Sequence, residues 1–281
     1  MEVRRHAQDS RRHQRRPRPD HPLHPVAAKT GRHLLAARRL GRGAEGIPPQ
    51  TAFTRKEWAI IRAHSTPRQV QAFLDKLPYN WEKSKETLRS FRGAIAKRTA
   101  HCLEAAITAA VILEQYGHTP LLLSLESTDK LDHVLYLFKQ NGRWGAVGRS
   151  REAGLQGRKP VFRSVRELVL TYVEPYVDYT GRLCGYGVGN LRDLGDYDWR
   201  FSPKNVWKVE RYLLKMPHKK YRMSKRTHER ALQRFTAFRA ADPKAPVNYY
   251  DSRPSWLGNP DVPSGPIPKK FRHLKPDQAK K

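Results

Sequence analysis

The sequence predicts an α+β fold, and three observations carry that prediction. Residues 105–113 form an apolar run within a helix-forming stretch that starts near Cys102, so this helix is apolar on nearly every side and belongs at the centre of a domain. Three β-type runs follow at 120–125, 132–139 and 143–147, and the last two are joined by Asn141-Gly142, the strongest hairpin signal in the chain. Amphipathic helical patterns flank this centre on both sides.

Residues 1–50 are rich in Arg, His, Pro and Gly with no sustained apolar period. They cannot bury enough surface to offset chain entropy, and a disordered basic arm is expected. Between 54 and 92 the spacing turns helical through Trp58, Ile61, Val70, Phe73, Leu74 and Leu77, with Thr66-Pro67 as a helix start. Pro78-Tyr79-Asn80 reads as a turn. Thr99 is a suitable N-cap, which would make Cys102 the N3 residue of a helix running to about Tyr116 and ended by Gly117.

After the three strands, 148–159 reads as an irregular basic loop and 164–176 as a helix with Val165, Leu168, Val169 and Tyr172 on one face. Residues 179–198, rich in Gly, Asp and Tyr, read as loop or short strand. Ser202-Pro203 starts a basic helix through Trp207, Val209 and Leu213, and a second runs from Ser224 to about Phe238. Eight prolines between 243 and 276 exclude packed elements there, so 241–281 is expected to be an extended tail around a folded domain at 51–240.

Lys and Arg number 55 against 26 Asp and Glu, a formal charge of +29. Such a field attracts phosphate backbones, anionic surfaces and acidic peptides, and it bears on partners rather than fold. The folded part keeps much of the excess, so it should present a basic face. Two cysteines and no secretory apolar region fit a reducing cytoplasm. No apolar run approaches the roughly 20 residues that span a bilayer. No Cys-x-x-Cys or His-x-x-x-His pattern supports a metal, and no cofactor is expected.

The chemistry-bearing residues are Cys102, at a helix start, and His133, at a strand start. A thiol attacks only as thiolate, and an unperturbed pKa of about 8.5 leaves a few per cent ionised at neutral pH. A helix N-terminus and a nearby imidazole both favour the thiolate, and free backbone N–H groups there can hold an oxyanion. Two readings of these residues stay open: a nucleophile with its base, or a small core thiol beside a hydrogen-bonded strand histidine.

Several stretches around these residues are similar to one family. Ala100-His101-Cys102-Leu103-Glu104-Ala105-Ala106, Asp132-His133-Val134 and Gly142-Arg143-Trp144-Gly145-Ala146-Val147 resemble the core of the transglutaminase-like superfamily of papain-like cysteine enzymes. Leu77-Pro78-Tyr79-Asn80, Leu88-Arg89-Ser90-Phe91-Arg92-Gly93, Pro120-Leu121-Leu122-Leu123 and Val161-Phe162-Arg163-Ser164-Val165-Arg166-Glu167-Leu168 resemble a bacterial group of transglutaminase-like domain proteins, over about residues 54–235. The resemblance implies the Cys at a central helix N-terminus packed on an antiparallel sheet carrying the His.

It also implies acyl transfer or amide hydrolysis through a thioester on Cys102, with His133 as base and a peptide or protein amide as substrate. The superfamily usually places an Asp after a Trp-x-x-Val strand, and here Trp144-Gly145-Ala146-Val147 is followed by Gly148. Ser150 or a carboxylate from elsewhere is left to orient the imidazole. Asp132 is a poor candidate, because adjacent strand residues point to opposite faces.

The alternative is a catalytically silent module that binds nucleic acid or an acidic partner through Lys215, Lys219, Lys220, Arg222, Lys225 and Arg226, with Gly148 as the feature that keeps it open. Cys184 reads as an incidental thiol in a glycine-rich loop. The alternating glycines at 185, 187 and 189 lack the preceding strand and acidic partner of a nucleotide loop.

Overall fold

A computed structural model describes residues 46–82, 85–130, 132–150 and 153–241. The arm expected at 1–50 and the tail expected at 241–281 therefore lie outside the described residues, apart from 46–50 and Ala241. Residue 46 already touches the fold, its carbonyl accepting from Arg200 Nη2 at 3.2 Å.

The first helices form where the sequence supplies caps. Thr54 opens α1 (Arg55–Ala63) with a reciprocal capping box, its hydroxyl accepting from the Glu57 N–H while Glu57 accepts from the Thr54 N–H. Thr66 and Gln69 repeat the device at α2 (Pro67–Lys76), with Pro67 at the first helical position. Ser90 caps α3 (Phe91–Lys97), and the left-handed Arg98, φ 55°, ends it.

The central helix, α4 (Cys102–Glu114), is buried at every residue from Leu103 to Glu114. It starts later than Thr99 allows. Ala100 is extended, paired with the segment expected as a turn: its N–H donates to Pro78 O at 3.3 Å and its carbonyl accepts from Asn80 N–H at 3.2 Å. His101 is thus the N-cap and Cys102 the first helical residue, while the Thr99 hydroxyl accepts from Arg89 Nη1. At the other end Gly117, φ 83°, turns the chain, its N–H reaching Glu114 O while that of His118 reaches Leu113 O.

Six strands follow: β1 (Leu121–Ser127), β2 (His133–Gln140), β3 (Arg143–Val147), β4 (Arg158–Phe162), β5 (Leu183–Asn190) and β6 (Lys219–Lys220). They form one antiparallel sheet in the order β4-β3-β2-β1-β5-β6. Asn141 and Gly142 turn β2 into β3 with φ of 49° and 75°, the double positive φ of a type I′ turn.

The glycine-rich stretch read as loop or short strand is β5, paired with β1 along its length. Its alternating glycines are explained by α6 (Trp207–Lys215). A Cβ at Gly189 would lie 2.7 Å from the Tyr212 ring and one at Gly187 2.8 Å from Met216, so bare backbone is what lets the helix and its exit lie against the strand. This helix begins at Trp207, not at Ser202-Pro203. The Ser202 carbonyl accepts from the Ser90 hydroxyl and the Val206 N–H donates to Leu88 O, which holds 202–206 as a connection across to α3.

Strand alternation divides the core. Leu122, Val134, Tyr136 and Phe138 face the layer built around α4. Leu123, Leu125, Leu135 and Leu137 face a second layer containing Leu155, α5 (Val165–Leu170), Tyr172 and Tyr176. The helix expected over 164–176 stops at Leu170 and continues as turns. Below the second layer α7 (Lys225–Ala241) buries Ala231, Phe235 and Phe238, and Arg234 pairs with Glu174 at 3.1 Å. No described helix is long and apolar enough to cross a membrane.

Candidate active site

The start of α4 is built by its own neighbours. The His101 ring accepts the Leu103 N–H at Nδ1, 3.2 Å, and its Nε2–H donates to Thr87 O at 3.0 Å. Glu104 returns the cap by accepting the His101 N–H at 3.1 Å. The same carboxylate, fully buried, also accepts from Arg89 N–H and Nε at 2.9 Å each, from Asn80 Nδ2 at 3.1 Å and from the Thr87 hydroxyl at 3.3 Å. One carboxylate thereby fastens the segments at Asn80 and at Thr87–Arg89 to the turn that carries Cys102.

Cys102 is partly exposed and free. Burial works against its ionisation, but hydrogen bonds and charge from His101 and His133 outweigh it, and the thiol pKa falls well below the ordinary thiol value. Cys184 behaves in the opposite way: burial and the Glu126 carboxylate push its thiol up. Of the two thiols, only Cys102 is set to be a thiolate near neutral pH.

His133 is the first residue of β2 and is 4% exposed. Its Nε2 lies 2.8 Å from the Leu155 carbonyl. A carbonyl can only accept, so Nε2 carries the proton, and Nδ1 is the nitrogen left to face the Cys102 sulfur. Leu155 closes the turn Ala153–Leu155 just before β4, which places its carbonyl beside the second layer of the core.

His101 is pulled two ways. Burial opposes its charge, whereas the neighbouring Cys102, with Glu104 at 3.8 Å and Glu82 at 4.0 Å, raises its pKa to about 9. Protonation at Nδ1 would set an N–H against the Leu103 N–H, so the ring takes up its charge only by giving up that cap bond.

The other residues singled out in the sequence lie as follows. Ser150 is buried, its backbone N–H and carbonyl both bound to the Gln156 amide at 3.2 and 2.7 Å. Asp132 accepts the Ser127 N–H at 2.9 Å, which turns it towards the end of β1. Gly148, where the superfamily usually has Asp, is bound through its N–H and carbonyl to the Gln71 side chain at 3.0 and 2.9 Å. A Cβ there would meet Leu135 Cδ2 at 2.8 Å, so a side chain at 148 enters leucine packing.

Lys215, Lys219, Lys220, Arg222, Lys225 and Arg226 are all exposed and run from the end of α6 across β6 to the start of α7. Cross-strand pairing links them to the site, because His133 pairs with Leu125, Leu125 with Tyr186 and Tyr186 with Lys219. Three strand spacings separate the ends of that row, roughly 14 Å. Among the described residues no group of three or more His, Cys, Asp and Glu side chains is arranged to hold a metal ion.

Sequence reasoning missed the Leu155 carbonyl, since every residue carries one and no residue type announces its direction. It also missed the His101–Glu104 box, for which a signal existed: a ring acceptor followed three residues later by Glu, directly before an apolar run. A search of curated proteins found no match. The family model described as Vasohibin matches residues 94–237, a stretch that contains Cys102, His133 and Leu155. Vasohibins have the transglutaminase-like cysteine-protease fold, which accords with the α+β architecture and the buried helix described above, and this chain belongs to the vasohibin family.

Proposed function

We propose that this protein is a cysteine-dependent amide hydrolase acting on peptide bonds. The observation that carries this reading is the Cys102 thiol at the first position of α4, with its pKa held down by two imidazoles, one of which is fixed through Nε2 by a backbone carbonyl.

The steps follow from that geometry. His133 Nδ1 takes the thiol proton, and the thiolate attacks the substrate carbonyl carbon. The oxyanion so formed lies at the helix N-terminus, where the Cys102 N–H has no intrahelical acceptor; the Leu103 N–H is already spent on His101. Collapse breaks the C–N bond, His133 returns the proton to the leaving amine, and a thioester remains. Water, deprotonated by His133, attacks the thioester and releases a carboxylic acid and the thiol. Leu155 plays the part that Asp plays elsewhere in the superfamily, holding the tautomer and orientation of the ring without a charge of its own.

Hydrolysis is favoured over transamidation because tubulin detyrosination, the activity associated with vasohibins, is itself cleavage of a terminal peptide bond. An acidic peptide is the substrate class that the basic strip ending at Lys219 attracts, and two free thiols suit a reducing compartment. The test is turnover of a library of acidic peptides by the full chain, with mass spectrometry of the protein. An acyl adduct on Cys102 in the wild type and its absence in Cys102→Ala support the reading. Equal turnover by both proteins overturns it.

A second reading rests on the six exposed cations alone: a module that docks polyanions. It predicts a salt-dependent mobility shift with nucleic acid that survives Cys102→Ala and is lost when those cations are replaced.

A further inference from the structure

We propose that Arg158 is the positioning residue that aims the Leu155 carbonyl at His133. The inference rests on the reading of Cys102 and His133 as a working pair. Arg158 is 1% exposed and is spent on carbonyls of the turn that carries Leu155. Its Nη2 donates to Gly154 O at 2.7 Å, and its Nη1 to Gln156 O at 2.8 Å and Gly157 O at 3.2 Å. The carbonyls immediately before and after Leu155 are thus drawn to one guanidinium, and the carbonyl between them is the one that meets His133.

The guanidinium is itself fixed. Its Nε donates to Thr171 Oγ1 at 2.9 Å, and Nη2 reaches Thr171 O at 3.4 Å. Its carbon lies 3.9 Å from the centre of the Tyr172 ring, whose hydroxyl donates to Gln156 O at 3.0 Å. Only a planar fork of five donors can serve these acceptors together, and a lysine ammonium in the same place has three donors and no plane to stack. The charge therefore does structural work next to the pair without touching the reacting atoms.

The position is testable in the full chain through the His133 ring. Nitrogen NMR of the ring in Cys102→Ala, where no thiolate competes, reports the tautomer directly. A single Nε2–H form is expected with Arg158 present and a mixture of tautomers in Arg158→Lys. In the Cys184→Ser background, the same substitution should move the midpoint of Cys102 alkylation by iodoacetamide upward by about one pH unit, which lowers the rate near pH 6 about tenfold. Thr171→Val, which removes the acceptor for Nε together with the hydroxyl's own bond to Leu168 O, should shift both readouts in the same direction by less.

If both variants lower the melting temperature while the ring stays wholly Nε2–H and the alkylation profile is unmoved, Arg158 is merely structural and the proposal falls. If the ring responds to Arg158→Lys but the wild-type thiol shows no reactivity at low pH, the positioning stands and the enzyme reading fails.

Discussion

Leu155 O and His133 Nε2 lie 2.8 Å apart, so a backbone carbonyl orients the His133 ring. A carbonyl contributes direction without charge. It fixes which nitrogen is protonated, but it stabilises an imidazolium less than a carboxylate does, and the helix N-terminus and the second imidazole of His101 supply the rest of the field on the thiol.

Truncating the Leu155 side chain should therefore leave the chemistry in place. Leu155 is 8% exposed in the second core layer, and Leu155→Ala should cost about 2–3 kcal/mol of stability. The pH midpoint of Cys102 alkylation should stay within about 0.3 units of wild type. A large shift would show that the side chain, and not the carbonyl, does the orienting.

Gly148→Asp should not restore the side-chain acid usual in the superfamily. Its Cβ would meet Leu135 Cδ2 at 2.8 Å, so the substitution forces a polar side chain into leucine packing. Chemical denaturation should show a loss of about 2–3 kcal/mol with no gain in thiol reactivity. A variant that keeps its stability and reacts faster would contradict the geometry given for this position.

Glu104→Gln tests the fastening of the helix start. The substitution keeps the shape but removes the charge that accepts from Arg89, Asn80 and His101, leaving the mostly buried Arg89 guanidinium uncompensated. A loss of about 3 kcal/mol is expected, with slower alkylation of Cys102. Unchanged unfolding would mean that these segments are held together by packing alone.

Gly117→Val places a β-branched residue at φ 83°. A cost of about 2 kcal/mol is expected, a fall in melting temperature of roughly 4–8 °C. No contact stands in the way of the side chain, so an unchanged melting temperature would count directly against the left-handed turn at the end of α4.

The parts of this fold that were legible in the sequence are those fixed by local chemistry. Thr66-Pro67, Asn141-Gly142 and Gly117 each act within a few residues, and each lies where its backbone preference placed it. The starts of α4 and α6 depart from the local signals because tertiary hydrogen bonds override good local caps: Ala100 is claimed by Pro78 and Asn80, and Ser202 and Val206 by Ser90 and Leu88. Strand β5 was obscured because its glycines answer to Tyr212 and Met216, more than twenty residues away. At the site, residue type and place leave Cys102 and His133 open between a reactive pair and a core thiol beside a strand histidine, and the family resemblance is what singles them out, whereas nothing in the sequence points to Leu155, whose contact with His133 is made by a backbone carbonyl.

The central claim is that His133 holds Cys102 as a thiolate. The measurement that tests it most directly is the pH profile of Cys102 alkylation in Cys184→Ser, with and without His133→Ala. A depressed thiol pKa means that reactivity is retained as pH falls through neutrality and is lost only below the depressed value. Reactivity that persists well below pH 7 and retreats towards the ordinary thiol range, about 8.5, when His133 is removed is the result this account predicts. A thiol that is unreactive below that range, or whose profile is indifferent to His133, would contradict it.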